Sequence, residues 1–184
     1  KNVTKILEVF EDKKYILIVM KYINGDNLFS FVKKRRKLSE KIAKFLFRQI
    51  ISGIMHIHSQ KIVHRDIKLE NILIDLNNNI KICDFGIGVI LSKEDELLFD
   101  QCGTPMYTAP EIILSSKEHG YKGYPVDVWS SGIALYIMLS GTLPFNYKLG
   151  DDIKEISNEE ILNYNNLILQ YSIVNKEQKP IEKI

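Results

Sequence analysis

The chain has 184 residues, which corresponds to about one domain, and its shares of apolar (45%) and charged (26%) residues exclude wholesale disorder and fibrous repeats. Lysine and arginine (25) nearly balance aspartate and glutamate (23), so the charge gives no reason to expect a nucleic-acid or membrane partner. The two cysteines fit a reducing compartment and the apolar runs are too short to cross a bilayer, so we expect an intracellular, cytoplasmic protein.

Apolar spacing predicts one strand and two helices in the first third of the chain. The β-branched run 15–20 is typical of a buried strand, and it ends at the turn residues 24–27. A short helix is expected over 28–33. A longer helix is expected over 39–59, with Ser39 as its N-cap and one face buried. The apolar residues that define this face are Ile42, Phe45, Leu46, Ile50, Ile54 and Ile57.

The centre of the chain predicts an antiparallel β-hairpin. Two short apolar runs, 72–74 and 80–82, flank a segment rich in turn residues. Asn71 precedes the first run and Asp84 closely follows the second, so the hairpin brings them to the same end, roughly 5 Å apart. A few hard oxygen ligands of this kind suit Mg²⁺ that is also held by the phosphates of a substrate.

The loop before this hairpin carries further chemistry. Asp66 supplies a potential proton acceptor and Lys68 a cation, a few residues before Asn71. A group that positions a nucleophile, a cation that neutralises phosphate charge and a metal site together indicate phosphoryl transfer.

After the hairpin the pattern is less regular. Residues 84–111 show no periodicity, and a second strong helix is expected from about 125 to 139, ended by Gly141 and Pro144. The polar, Asn-rich tail from Gly150 leaves room for one more short helix.

Three motifs in this order resemble those of protein kinases. Residues 64–71 (HRDIKLEN) are similar to the kinase catalytic loop, 84–86 (DFG) to the metal-binding triplet and 109–111 (APE) to the end of the activation segment. The resemblance extends over about 2–145 and implies an α+β, protein-kinase-like fold. It also implies ATP and Mg²⁺ as cofactors and a protein as substrate.

The resemblance assigns roles to the catalytic loop and the hairpin end. Asp66 would orient the substrate hydroxyl and accept its proton, and Lys68 would contact the transferring phosphate. Asn71 and Asp84 would bind Mg²⁺. The position of Lys68 and the motif 103–105 (GTP) resemble the Ser/Thr branch. Within that branch, residues 102–107 and 132–141 resemble the calcium/calmodulin-dependent and AMP-activated group.

The resemblance also places a nucleotide site. Met20 matches the gatekeeper, Lys21 and Ile23 lie in the hinge that binds adenine through backbone groups, and Leu73 would pack against the adenine ring. The substrate edge departs from the family at one position: Asn27 stands where related kinases often carry a Glu that touches the ribose or a basic substrate residue. Glu70 is retained there and would meet a basic side chain. The positions assigned to this region are Met20, Lys21, Ile23, Asn27, Glu70 and Leu73.

Other matched positions would support the site. His64, Phe85 and Ile6 correspond to a hydrophobic stack that aligns the two lobes of a kinase. Asp127 corresponds to an acid that holds the catalytic loop, and Arg65 to the usual partner of a phosphate on the activation segment.

The activation segment carries a distinctive residue. Asp100 stands three positions before Gly103, where many of these kinases carry a phosphorylatable Thr. We expect the Asp100 carboxylate to pair with Arg65 without phosphorylation, as in calcium-dependent protein kinases. Thr104 and Glu111 complete the segment, and the arginine that usually pairs with Glu111 has no match in the sequence.

The sequence is expected to be a single partial kinase domain. Residues 1–20 would end the small lobe, 21–27 would form the hinge and 28–184 would form an incomplete large lobe. The 184 residues contain no Gly-rich loop and no lysine strand, so this chain alone is expected to bind ATP poorly and to transfer phosphate slowly or not at all. The predicted function is that of a Ser/Thr protein kinase. The alternative is a non-catalytic pseudokinase or scaffold fragment, and a regulatory domain or subunit would lie outside the sequence.

Overall fold

The computed structural model describes residues 1–145, and the predicted features of the tail from Gly150 lie outside the described residues. Its helices and strands alternate irregularly along the chain. In order they are β1 (Ile6–Glu11), β2 (Ile16–Met20), β3 (Gly25–Asn27), α1 (Leu28–Arg35), α2 (Glu40–Ser59), β4 (Ile62–Val63), β5 (Ile72–Asp75), β6 (Ile80–Ile82), β7 (Val89–Ile90), β8 (Leu97–Leu98), α3 (Pro110–Ile113), β9 (Tyr121–Lys122) and α4 (Gly123–Ser140), with short 3-10 turns at Leu69–Asn71 and Pro105–Tyr107.

Helix α2 runs through the main hydrophobic core and packs against α4 and β6. The predicted helix at 39–59 is confirmed, but its buried face is shifted. Ile42 and Phe45 are 42% and 54% exposed, although we expected both to be buried. At about 100° per residue Phe45 points away from the centre of the face and Ile42 lies at its edge. The residues that form the buried face are Ala43, Leu46, Ile50, Gly53, Ile54 and Ile57.

The predicted strand at 15–20 is confirmed as β2, but its predicted burial is wrong. It pairs antiparallel with β1, and every residue of both strands is exposed. Within residues 1–145 neither face of this two-stranded sheet is covered. The apolar run rich in β-branched residues therefore predicts the strand correctly but does not predict whether the strand is buried. A two-stranded hairpin of this kind is marginally stable by itself.

The predicted hairpin is confirmed as β5 and β6, with Ile72 opposite Ile82 and Ile74 opposite Ile80. Strand β3 adds to the other edge of β5 and places Asn27 opposite Leu73. The alternating burial of β5 and β6 anchors this sheet in the core through its isoleucine side chains. The sheet therefore fixes the segment before α1 relative to the loop before β5.

The segment 84–111, which we expected to be irregular, contains two-residue strands, short turns and the first two residues of α3. Strand β7 pairs with β4, and β8 pairs with β9. These short pairings hold the segment against a second, smaller core that includes Val63, Leu98 and Val126. None of the helices in residues 1–145 has the length and apolar character needed to span a membrane.

Helix α4 begins at Gly123, two residues before the predicted start, and ends at Gly141 as predicted. Gly141 has a φ of 78°, in the left-handed region, and its N–H donates to the Ile137 carbonyl oxygen at 2.9 Å. A methyl group on Gly141 would clash with the Arg36 carbonyl oxygen. Glycine therefore serves here both as a helix cap and as a point of close backbone approach.

Replacing Gly141 by Ala is expected to lower the free energy of unfolding by about 2 kcal/mol, because it combines a left-handed side chain with a backbone clash. Gly132→Ala is the matched control, since its new methyl group would have no neighbour within 4 Å. That change is expected to leave stability unchanged or raise it by up to about 1 kcal/mol through helix propensity. Urea unfolding followed by circular dichroism measures both, and equal effects of the two changes would contradict this role of Gly141.

Candidate active site

Three polar side chains meet at the Asp66 carboxylate. Lys68 Nζ donates to Asp66 Oδ2 at 2.7 Å, and Asn71 Nδ2 donates to the same oxygen at 2.9 Å. Thr104 Oγ1 donates to Asp66 Oδ1 at 2.7 Å and accepts from Lys68 Nζ at 2.8 Å. Both carboxylate oxygens are therefore fixed, and the Asp66 side chain is only 14% exposed. The structure thus brings together Asp66, Lys68 and Asn71 from the loop and Thr104 from the activation segment.

The hairpin brings Asn71 close to Asp84 along the backbone. The Cys83 N–H donates to the Asn71 carbonyl oxygen at 3.0 Å, and Asp84 is the next residue. Asp84 has a φ of 64°, in the left-handed region that Asp tolerates better than most residues, and its side chain is exposed. One carboxylate oxygen of Asp84 accepts from the Gly86 N–H at 3.2 Å, and the other remains available.

His64 is fully buried beneath this loop. Its Nδ1 accepts from the Asp66 N–H at 3.2 Å, so its Nε2 must be the nitrogen that donates to the Cys83 carbonyl oxygen at 3.0 Å. The two bonds select the neutral tautomer with its proton on Nε2, and the ring lies 4.7 Å from that of Phe85. His64 thus links the Asp66 backbone to the residue before Asp84. Ile6, which we expected in the same stack, is 54% exposed on β1 and lies outside the core that Phe85 packs against.

Asp127, at the start of α4, accepts three hydrogen bonds while only 1% exposed. Its Oδ1 accepts from the Arg65 N–H at 2.8 Å, and its Oδ2 accepts from the His64 N–H at 3.0 Å. The third partner is His58 Nε2, 2.8 Å from Oδ2, whose ring also packs against Tyr124 with centroids 4.6 Å apart. A buried carboxylate therefore ties the loop at 64–71 to the end of α2 and the start of α4.

Arg65 connects the loop to the activation segment. Its Nε donates to the Ile87 carbonyl oxygen at 2.8 Å, and its Nη1 lies 3.6 Å from the Asp100 carboxylate. The Arg65 side chain is 10% exposed, whereas that of Asp100 is 84% exposed. Burial raises the pKa of Tyr121 to about 12, so its hydroxyl stays protonated and donates to the Asp100 carbonyl oxygen at 2.9 Å. The expected ion pair of Arg65 and Asp100 is therefore present, and its separation of 3.6 Å is long for an ion pair.

The residues expected at the nucleotide edge lie along the chain from β2 to β5. Met20 is 51% exposed, and the Lys21 N–H donates to the Lys5 carbonyl oxygen at 2.8 Å. Asn27 Oδ1 accepts from the Ser30 N–H at 2.8 Å and so caps α1. Leu73 lies opposite Asn27 in the sheet, and Ile23 lies between β2 and β3.

The two remaining acids differ in their contacts. Glu70 accepts a hydrogen bond from the Tyr107 hydroxyl at 3.4 Å. Burial, with Glu70 nearby, raises the pKa of Tyr107 above its usual range and keeps the hydroxyl protonated. Glu111 has no ion-pair partner within residues 1–145, and it lies at the first turn of α3.

Comparison with known proteins identifies the family. Residues 1–183 match the family described as "Protein kinase domain". The chain belongs to the protein kinase family. It is 44% identical over 161 residues to the human NUAK family SNF1-like kinase 2, with 85% of this chain and 24% of that protein covered. It is 42% identical to CBL-interacting protein kinase 31 of rice, covering 78% of this chain and 32% of the relative.

A third relative is serine/threonine-protein kinase KIN4 of yeast, 40% identical over 84% of this chain and 20% of that protein. The kinase chain thus spans between a fifth and a third of the length of these relatives. These matches confirm the Ser/Thr-type protein kinase family, including its likeness to the AMP-activated group, and the mixed helix and strand content of the structure fits the predicted α+β kinase-like fold.

Two contacts of the candidate site do not follow from the sequence. The sequence assigns no role to His58 or to Tyr121. Their partners Asp127 and Arg65 are far away in the chain, so no local spacing marks them. The sequence does carry one signal for His58. It lies in the last turn of an amphipathic helix, six residues before His64, and this spacing predicts that it lies near the loop at 64–71.

Proposed function

We propose that this chain is the catalytic part of a Ser/Thr protein kinase that transfers the γ-phosphate of ATP to protein hydroxyl groups. The observation that carries the proposal is the fixed Asp66 carboxylate, held between Lys68, Asn71 and Thr104. The relatives whose printed names describe serine/threonine-protein kinases support the same class.

Asp66 and Lys68 would divide the work of the transfer. A substrate hydroxyl would approach Asp66, which orients it and accepts its proton as the oxygen attacks the phosphate. Lys68 Nζ, 2.7 Å from the carboxylate, places a positive charge beside the reacting hydroxyl and would contact the transferring phosphate. Through its hydrogen bonds to Asp66 and Lys68, Thr104 would hold the activation segment in place beside both side chains.

Asn71 and Asp84 would hold Mg²⁺. The Asn71 amide nitrogen is already bonded to Asp66, which leaves its Oδ1 as a ligand, and Asp84 has an exposed carboxylate. No group of three or more His, Cys, Asp or Glu in residues 1–145 is arranged to hold a metal ion. One carboxylate and one amide oxygen fit Mg²⁺ that is shared with phosphates. The ion would supply charge neutralisation on the phosphate groups.

ATP would lie at the edge formed by Met20, Lys21, Ile23 and Leu73. Because the Lys21 N–H is already used by the Lys5 carbonyl oxygen, adenine would be bound by the Lys21 carbonyl and the Ile23 N–H. In this proposal residues 1–20 end the small lobe, 21–27 form the hinge and 28–184 belong to the large lobe.

The proposal is tested with the full-length protein. Purified protein, Mg²⁺ and [γ-³²P]ATP are incubated with a library of Ser-, Thr- and Tyr-containing peptides, and the labelled amino acids are separated. Label on phosphoserine and phosphothreonine is the expected result. Tight ATP binding without any peptide label would contradict the proposal and favour the non-catalytic pseudokinase.

The pair of Asp100 and Arg65 predicts activity without phosphorylation of the activation segment. We expect Asp100→Ala to lower kcat for peptide phosphorylation about 1.4- to fivefold, since exposed ion pairs contribute about 0.2–1 kcal/mol. Asp95→Ala, in the same segment and exposed, is the control and is expected to have no effect. Equal values of kcat for Asp100→Ala and the unchanged protein would show that activity does not depend on the pair of Asp100 and Arg65.

A further inference from the structure

A groove of about 440 Å³ lies away from Asp66, between α1 and the turn that joins β5 to β6. Part of its lining is apolar: Phe31 on α1, Ile74 on β5 and Leu76 in the turn. Leu76 is 76% exposed, more than any other leucine of the described residues. An apolar side chain held in the open beside a groove of this size offers an anchor point to a ligand.

Five consecutive cations, residues 33–37, lie at the end of α1, and all five are exposed. Two of them, Lys34 and Arg35, line the groove. The summed charge of all five exceeds the net charge of the whole chain, which is +2. Lys34 pairs with Asp26 at 2.8 Å, while the other four have no acidic partner within residues 1–145. This basic stretch is therefore a local excess of positive charge.

Arg35 is the cation best placed to act at the groove. Its guanidinium lies 3.6 Å from the centre of the Phe31 ring, and its Nη1 donates to the Phe31 carbonyl oxygen at 3.1 Å. These contacts fix the side chain along the groove wall and leave most of its donors free for a carboxylate.

The acids that line the groove do not cancel this charge. Asp26 is bonded to Lys34 and to the Asn27 N–H. Asp75 accepts from the backbone N–H groups of Asn77 and Asn79, each at 2.8 Å, and its pKa is lowered by its hydrogen bonds to Asn79. Both carboxylates stay ionised and offset two of the five cations of residues 33–37, so the groove and this basic stretch together keep an excess of three positive charges.

We propose that this groove is a docking site for an acidic peptide segment of a partner protein, with one apolar side chain seated against Phe31 and Leu76. The flanking carboxylates of the peptide would pair with Arg35 and with the cations that follow it. The proposal does not depend on phosphoryl transfer, because none of these residues belongs to the Asp66 site.

The test uses a fluorescein-labelled peptide, Glu-Asp-Glu-Leu-Glu-Asp-Glu, titrated with this chain and followed by fluorescence anisotropy. We expect saturable binding that Arg35→Glu weakens at least tenfold and Leu76→Ser about fivefold. Lys93→Glu, an exposed charge reversal outside the groove, is the matched control and is expected to change the affinity less than twofold. Circular dichroism checks that each variant is folded, which the exposure of Leu76 and Arg35 favours.

Three results would overturn the proposal. The first is equal binding of a peptide with Ser in place of Leu, which would reduce the groove to a charged surface. The second is equal weakening by Lys93→Glu. The third is a concentration-dependent dimer in sedimentation velocity that Leu76→Ser dissociates, which would assign the groove to a second copy of the chain.

Discussion

Asp66→Asn is expected to lower kcat for peptide phosphorylation by about 10²- to 10⁴-fold, the usual contribution of a positioned general base. Asparagine keeps the shape of the side chain and still accepts from Thr104 or Lys68, but it cannot take up the proton of the substrate hydroxyl. The affinity for Mg²⁺ and ATP is expected to change little, because Asp66 is not among the proposed metal ligands.

The catalytic rate is measured by steady-state peptide phosphorylation with the full-length protein. The affinity for ATP is measured by calorimetric titration in the presence of Mg²⁺. Glu40→Gln removes the same charge at an exposed position on α2 and serves as the control. Retention of more than a tenth of the activity in Asp66→Asn would show that the reaction does not need this carboxylate.

Asp127→Ala is expected to lower the free energy of unfolding of the chain by about 3–4 kcal/mol. It leaves the His64 and Arg65 N–H groups and His58 without their acceptor, and each buried donor without a partner costs about 1–3 kcal/mol. Because the same bonds hold the catalytic loop, the variant is also expected to lose most of its activity.

Urea unfolding by circular dichroism gives the stability, with Asp95→Ala as an exposed control of the same chemistry. Asp127→Asn is expected to lie between the two, since its amide retains one acceptor oxygen. A loss below about 1 kcal/mol for Asp127→Ala would contradict the buried three-bond arrangement.

The features that follow from local rules were predictable from the sequence. The hairpin of β5 and β6 was predicted because two short apolar runs flank turn residues, and Gly141 was predicted to end α4 because glycine tolerates the left-handed conformation there. The order of the catalytic-loop and metal-triplet motifs likewise predicted that Asp66, Asn71 and Asp84 belong to one region.

What the sequence could not predict depends on contacts between distant residues. The bond from Thr104 to Asp66 crosses 38 positions, and that from His58 to Asp127 crosses 69. The burial of β2 was wrongly predicted for a related reason: an apolar strand is buried only where another layer covers it, and its own residues do not specify that layer.

The most direct test of the account is where a divalent ion binds. The protein is crystallised with Mn²⁺ and a non-hydrolysable ATP analogue, and the ion is located by its anomalous scattering. We expect an anomalous peak within coordination distance of both Asn71 Oδ1 and an Asp84 carboxylate oxygen, which is about 2.1 Å for the Mg²⁺ that Mn²⁺ replaces. A peak that is distant from both side chains, while the nucleotide is bound, would contradict it.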